Sequence, residues 1–295
     1  MSSRGFHRYM SLAGEDFRNK SRGDMSAELR SILSDGIHGL CFSAYDEHQK
    51  PGDQISEPQI RDKLEVIKDH TGWIRSFSCT DGNEQIPILG KELGLKTLVG
   101  AWIGRDEDVN EREIAKVIEL ALDGYADIVA VGNEVMYRKD HTEEQLLDYL
   151  RRVKAEVTSV PVGYVDAYYE FENRPAITDL CDVLLANCYP FWEGCSQEHA
   201  LLYMKDMYRR AERAGSGKKV IITETGWPNI GTTFWGSVPS PENAMKYFIN
   251  TFTWAREEHI EVFYFSAFDE VWKVADEGDV GAYWGLWDKN GSLKY

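Results

Sequence analysis

The chain of 295 residues contains no run of about 18 apolar side chains, the length a helix needs to cross a bilayer, so no membrane-inserted segment is expected. Residues 1 to 30 are polar and lack the apolar centre of a secretory leader, which leaves localisation open: secreted or periplasmic if a leader has been removed, otherwise cytoplasmic. Cysteine is scarce. The five cysteines (Cys41, Cys79, Cys181, Cys188, Cys195) include no Cys-x-x-Cys pair, and an odd number argues against a disulfide scaffold. Cys188 and Cys195 either close one loop or are small buried thiols. The seven histidines have no ligand spacing, so no metal site is expected, and no Gly-x-Ser-x-Gly elbow is present. Gly215-Ser216-Gly217-Lys218 lacks the earlier glycine of a phosphate loop and precedes a strand, which makes it a connector. Basic residues are the minority, 33 against 49 acidic, for a net charge of −16. That balance repels nucleic acid and anionic membrane and suits a neutral ligand, although acidity also serves solubility.

What the chain has in quantity is alternation of apolar runs with amphipathic stretches. Strands are expected at 39–44, 73–77, 96–101, 128–131, 161–164, 183–187, 219–223 and 261–266. Helix starts are expected at Ser56 with Gln59, Asn110 with Glu113, Thr142 with Gln145, and Ser240 followed by Pro241. Eight strand and helix units predict an α/β fold, a single-domain (β/α)8 TIM barrel, for which roughly 250 residues are typical. A doubly wound open sheet is the alternative, but it calls for a glycine-rich turn after the first strand, and Ala44-Tyr45-Asp46-Glu47-His48 has none. The barrel is expected over 26–295. Residues 1–25 are expected to form an N-terminal extension, in part disordered.

Two segments carry chemistry. Ile128-Val129-Ala130-Val131 runs into Gly132-Asn133-Glu134, and Val220-Ile221-Ile222-Thr223 runs into Glu224, so each places a carboxylate at the end of a doubly buried strand. An acid there needs a partner or a task, because burying an unpaired charge is costly. A structural ion pair would satisfy either one alone. On a barrel, however, both would point into the cleft at the C-terminal face, and two carboxylates are what glycoside hydrolysis requires: one protonated beside the leaving oxygen, the other facing the anomeric carbon. A retaining pair is expected to lie roughly 5 to 5.5 Å apart.

These segments, with Ile74-Arg75-Ser76-Phe77, Asn187-Cys188-Tyr189-Pro190-Phe191-Trp192, Thr225-Gly226-Trp227-Pro228 and Phe268-Asp269-Glu270 plus Lys273, resemble glycoside hydrolase family 17. The resemblance runs from about Gly39 to Tyr295. It implies a retaining enzyme acting on β-1,3-glucan, with Glu134 as acid/base, Glu224 as nucleophile, Asn133 on the sugar 2-hydroxyl and Tyr189 beside the nucleophile. The segments Cys41-Phe42-Ser43-Ala44-Tyr45 and Gly281-Ala282-Tyr283-Trp284-Gly285-Leu286-Trp287 depart from the plant-type pattern and resemble the bacterial branch, in which some members transfer glucan instead of hydrolysing it.

Seven of the nine tryptophans follow residue 190, where loops after the last three strands should lie. Flat indoles suit the apolar faces of sugars, so Trp192, Trp227 and Trp272 are candidates for the cleft, with Tyr45, Tyr189 and Phe268, while Trp254 in a helical pattern reads as core. Glu270 and Lys273 either pair with each other to brace Glu224 or bind sugar hydroxyls. Arg75 is expected to hold the nucleophile ionised by a bidentate contact, in preference to reaching substrate, the alternative being an unrelated surface arginine. Trp192 and Phe268 are further expected to offer an acceptor sugar a stacking surface. The cleft is expected to be open, admitting several sugars for internal cleavage. The expected protein is a monomeric enzyme without cofactor or metal, acting on β-1,3-glucan and not on nucleic acid. Transglycosylation is the alternative outcome. A non-catalytic glucan-binding relative is disfavoured by two intact glutamates, and a sugar-phosphate isomerase by the lack of a phosphate-gripping glycine loop after strands seven and eight.

Overall fold

Runs apolar on both faces form strands that must be covered on both sides. In the computed structural model, which describes residues 14–295, they achieve this by closing on themselves. Eight parallel strands pair in chain order into a closed barrel. They are β1 (Ile37–Cys41), β2 (Thr71–Arg75), β3 (Lys96–Ala101), β4 (Ile128–Asn133), β5 (Val162–Ala167), β6 (Val183–Asn187), β7 (Lys219–Thr225) and β8 (Val262–Tyr264). Side chains such as Leu184, Leu185, Ile221 and Ile222 have no exposed surface. Each contributes about 1.5–3 kcal/mol of burial.

Outside the barrel lie helices α1 (Arg22–Ser34), α2 (Glu57–Ile67), α3 (Gln85–Glu92), α4 (Glu107–Leu122), α5 (Glu143–Glu156), α6 (Pro175–Leu180), α7 (Gln197–Gly215) and α8 (Pro241–Glu258). No long helix follows β8, and α1 instead packs against α8 to complete the ring. Helix α1 therefore straddles the limit expected at residue 25, and residues 1–13 of the expected extension lie outside the described residues. None of the described helices is long and apolar enough to cross a membrane.

Capping boxes form at Ser56 with Gln59 and at Thr142 with Gln145, and Ser240 caps α8 with Pro241 in its first turn. The expected start at Asn110 is corrected. Asp106 caps α4 by accepting from the Val109 amide at 3.1 Å. Asn110 is buried one turn later, where its side chain exchanges two 2.8 Å hydrogen bonds with the backbone of Gly104. Glu113 is no capping residue either. It is 1% exposed and accepts from Thr80 Oγ1 and the Cys79 amide at 2.7 Å and from the Trp102 amide at 3.1 Å, which ties the loop after β2 to the loop after β3.

β3 and β6 have their expected limits, while β4 and β7 run two residues further than expected. The ladder shifts register between Ala130 and Asn133, between Ala186 and Asn187, and between Ile222 and Thr225. Bulges of this kind re-aim side chains. All three fall at the C-terminal ends of the strands, where the candidate carboxylates sit.

Candidate active site

The bulge in β7 sets Glu224 opposite Asn187 of β6. Glu224 is 6% exposed, and an acid so buried needs partners. Its Oε1 accepts from Arg75 Nη1 at 2.6 Å and from Asn187 Nδ2 at 3.1 Å, and its Oε2 accepts from the Tyr189 hydroxyl at 2.8 Å. Arg75, at the end of β2, is itself buried, and it meets Glu224 through Nη1 alone, not by the bidentate contact expected, because Nη2 is engaged by Asn133. It also donates to the Thr223 carbonyl at 3.0 Å and, through Nη2, to Asn133 Oδ1 at 2.7 Å, with its guanidinium 4.4 Å from the centre of the Phe77 ring. Removing one member of such a buried pair costs about 3–5 kcal/mol, because the other charge is left without compensation.

Glu134 directly follows β4 with φ 53° and ψ 31°, a left-handed conformation that a residue with a Cβ seldom adopts. Gly132 before it has φ 84°, and a Cβ there would stand 2.8 Å from Val135 Cγ2. The strained turn is held by the Glu134 amide donating to the Val165 carbonyl at 2.8 Å. It throws the side chain toward β6, where Oε1 accepts from Asn187 Nδ2 at 2.9 Å. One amide nitrogen thus bridges both acids at 2.9 and 3.1 Å, so the two Oε1 atoms lie no further apart than the 6.0 Å these legs add up to. Burial, followed by the charges of Glu224 and Asp166, pushes the Glu134 carboxyl up to about 7, against the opposing pull of the Asn187 hydrogen bond.

Further residues secure this turn. Asp166, near the end of β5, has no exposed surface, accepts from the Tyr164 hydroxyl and from the Ala167 amide at 2.7 Å, and is pushed up to about 6 by burial. The Tyr164 hydroxyl accepts from the Met136 amide at 2.9 Å, and Asp166 accepts from the Tyr137 amide at 3.4 Å, so both grip the single helical turn that Glu134 opens. Arg138 from that turn donates to the carbonyls of Asn133 and Ile103 and lies 4.3 Å from the Trp102 ring centre.

A second charged group follows β8. Lys273 Nζ lies 3.6 Å from both Glu270 Oε2 and Glu277 Oε1, 4.2 Å from the Phe265 ring centre and 5.0 Å from that of Trp272. Burial alone would lower the ammonium, but Glu270, Glu277 and Glu224 outweigh it and hold it above its ordinary value. The Trp272 indole donates to Glu270 Oε1 at 3.3 Å and meets Tyr45 edge to face at 6.2 Å.

Residues 39–285 match the family model described as the BtgE/BtgC glycoside hydrolase domain. The chain belongs to this family. A glucan 1,3-beta-glucosidase of Candida albicans is 28% identical over 258 residues, which cover 79% of this chain and 83% of that one. A glucan endo-1,3-beta-glucosidase of Emericella nidulans is 25% identical over 322 residues, covering 95% of this chain and 49% of the relative. Among solved structures, a glycoside hydrolase family 17 beta-1,3-glucanosyltransferase from Rhizomucor miehei superposes with a TM-score of 0.79 at 29% identity, over 88% of this chain and 96% of that one. The family-17 resemblance read from the motifs and the family model agree, and the protein is a glycoside hydrolase.

In this glycoside hydrolase Glu134, Glu224, Asn133, Arg75 and Tyr189 meet in one hydrogen-bonded cluster. Tyr45, Glu270, Trp272 and Lys273 form a neighbouring group, and Trp192 is half-buried against Phe191, Phe234 and Trp284. Two expected cleft residues are corrected. Trp227 has no exposed surface: its indole donates to the Val238 carbonyl at 3.0 Å and its ring packs between Phe191 and Tyr247. Phe268 is 3% exposed, enclosed by Phe42, Trp287 and the Lys63 ammonium, and offers no face to an acceptor. Cys188 and Cys195 are unbonded, so the loop closure entertained for them does not form. Trp254 is buried, as expected of core.

Asn187, Asp166, Arg138 and Tyr164 were not foreseen as site residues. Asp166 carried the same signal as the two glutamates, a lone acid in an apolar strand run. Asn187 lay at the head of a recognised motif, but nothing local indicates that its amide reaches two acids 53 and 37 residues away.

Proposed function

We propose that the protein cleaves β-1,3-glucan with retention of configuration, using Glu224 as nucleophile and Glu134 as acid/base. The observation that carries this reading is the Asn187 amide touching both carboxylates. It keeps their Oε1 atoms within 6.0 Å by its two contacts of 2.9 and 3.1 Å, which supports the close pairing of a retaining mechanism, whose carboxyl groups stand about 5–5.5 Å apart. The two acids also differ in environment as the roles demand. Glu134 is pushed up to about 7 and keeps a proton for the leaving oxygen, whereas Glu224 is ion-paired to Arg75 at 2.6 Å. Attack of Glu224 on the anomeric carbon expels the sugar oxygen as Glu134 protonates it. Glu134, then a carboxylate, takes the proton of the incoming water or sugar hydroxyl that releases the glycosyl group.

The Asn133 side-chain oxygen Oδ1 is engaged by Arg75, so its side-chain nitrogen Nδ2 is available to the sugar 2-hydroxyl, a contact that strengthens in the transition state. Tyr45, Trp272, Glu270 and Lys273 are assigned to sugar contacts on the β8 side, and Tyr189 to orienting Glu224. Glu224→Gln is expected to abolish glycosyl-enzyme formation. Glu134→Gln is expected to slow natural glucan by about 10²–10⁴-fold and to spare aryl glucosides whose leaving group needs no proton. Steady-state kinetics on both substrates check this, and equal losses on both would contradict the assignment.

Transfer to a second sugar is favoured as a further outcome by the likeness to a solved glucanosyltransferase and by the half-buried Trp192 beside the nucleophile strand. A sugar held there competes with water through its effective concentration. Trp192→Ala is expected to lower the ratio of transfer to hydrolysis more than total turnover, measured from both product classes over a substrate series. An unchanged ratio removes Trp192 from the acceptor site. Internal cleavage by a monomer is part of the same proposal. The relatives named above are fungal, and the bacterial-branch likeness is retained for two segments only. Both bond to residues 266–267, with the Ala267 amide donating to the Cys41 carbonyl at 2.9 Å and the Ser266 amide to the Trp284 carbonyl at 3.1 Å.

A further inference from the structure

Trp235 lies at the tip of a tight turn between β7 and α8. Phe234 and Ser237 pair there as an antiparallel bridge through two 2.9 Å hydrogen bonds, leaving Trp235 and Gly236 as the two turn residues. Trp235 has φ 51°, in a position where turns of this length favour asparagine or glycine, and it is 82% exposed. Strain and an exposed indole are two separate costs, and the fold accounts for neither. The turn is nevertheless held firmly. The Gly236 amide donates to the Gly194 carbonyl at 3.0 Å, and Ser237 Oγ donates to the carbonyls of Phe191 and Cys195 at 2.8 Å. The indole stacks on Phe234 with centroids 5.3 Å apart and planes 14° from parallel, and its edge rests on Gly194, where a Cβ would come within 2.9 Å of Cε3.

Trp235 is also the outer end of a continuous aromatic row. From Tyr189, which donates to Glu224, the centroids run 5.5 Å to Trp284, 5.6 Å to Trp192, 5.7 Å to Phe234 and 5.3 Å to Trp235. Tyr189 is half-buried and Trp284 is sealed beneath the surface, and from Trp284 outward exposure rises through half-buried Trp192 and Phe234 to open Trp235. A flat, rigid indole with one face on Phe234 and the other toward solvent complements the apolar face of a sugar ring. With a chain net charge of −16, a neutral occupant is favoured over an anionic one.

We propose that Trp235, backed by Phe234 and Gly194, is a distal platform that binds a β-1,3-glucan chain beyond the sugars contacted at the carboxylates. The proposal rests on the glucan reading above. It makes affinity depend on chain length, since only a chain long enough to extend from the carboxylates over Trp192 and Phe234 reaches the platform.

The test is calorimetric titration of Glu224→Gln with laminaribiose and with long β-1,3-glucan oligosaccharides, with and without Trp235→Ala, alongside laminarin hydrolysis by the otherwise unaltered enzyme. Trp235→Ala is expected to weaken long-chain binding by about three- to tenfold, well beyond any loss for laminaribiose, with Trp235→Phe intermediate. Gly194→Ala, which displaces the indole without removing it, is expected to follow Trp235→Ala. An enzyme that cleaves laminarin, yet binds the long chain equally with and without Trp235, overturns the platform and leaves the glucan reading intact. If Trp235→Ala instead only dissolves a concentration-dependent dimer in size-exclusion chromatography, the occupant is a second copy and the proposal fails. A protein that neither binds nor cleaves β-1,3-glucan overturns the underlying reading, and the platform with it.

Discussion

At the scale of single residues, the site is an exercise in holding two like charges close together. Arg75 and Asn187 supply donors to Glu224, whereas Glu134 has one donor and a negative neighbourhood, which pushes it up to about 7. An acid that must be protonated loses function as pH rises through its folded-state value, so kcat/KM on natural glucan is expected to fall above about pH 7. Asp166 contributes to that elevation while ionised. Asp166→Asn, and more mildly Tyr164→Phe through the loosened turn, is therefore expected to move this basic limb to lower pH. A pH profile decides it: a uniform loss of activity without displacement of the limb would make Asp166 a structural brace alone. The two glutamates were legible because an acid ending an apolar strand is anomalous wherever it occurs. The aromatic assignments were less so, since Trp227 and Trp192 both follow strands and only tertiary packing separates the one that is sealed from the one that is half open.

Among the elements, the informative features are the bulges at the ends of β4 and β7, which turn ordinary barrel strands into holders for Glu134 and Glu224 and set Glu224 opposite Asn187. Gly132 enables the first of them. Gly132→Ala meets both a left-handed backbone and Val135 Cγ2 at 2.8 Å, and is expected to cost about 1–3 kcal/mol and to depress activity by displacing Glu134. Gly36→Ala is the control: its φ is 82°, with nothing within 4 Å of the added carbon, so a loss of about 1 kcal/mol without an activity defect is expected. Denaturant midpoints and initial rates on both variants check this. Strand existence could be read from β-branched runs, whereas strand ends could not. β4 and β7 continue through Asn133 and Thr225, whose polar side chains are satisfied by Arg75 across the barrel and by Tyr247 on α8, partners that no local pattern reports. Capping boxes were legible where neither member is buried, and misread at Asn110 and Glu113, whose polar side chains serve buried loop contacts instead.

Across the whole molecule, alternation of buried strands and amphipathic helices was enough to predict the barrel, because a parallel sheet with two apolar faces has few ways to cover both. The ring closure by α1 was not legible, since nothing in residues 22–34 names α8 as its partner. The barrel carries Arg75, Glu134, Asn187 and Glu224 on strands or directly after them, and this rigid setting is what gives the bridge from the Asn187 amide to both Oε1 atoms, at 2.9 and 3.1 Å, its mechanistic weight. Proton NMR of the first sugar released from a linear β-1,3-glucan, recorded before mutarotation, tests the central claim most directly. A newly formed reducing end in the β configuration is the predicted result, and one that appears first as the α anomer would contradict the retaining mechanism with Glu224 as nucleophile.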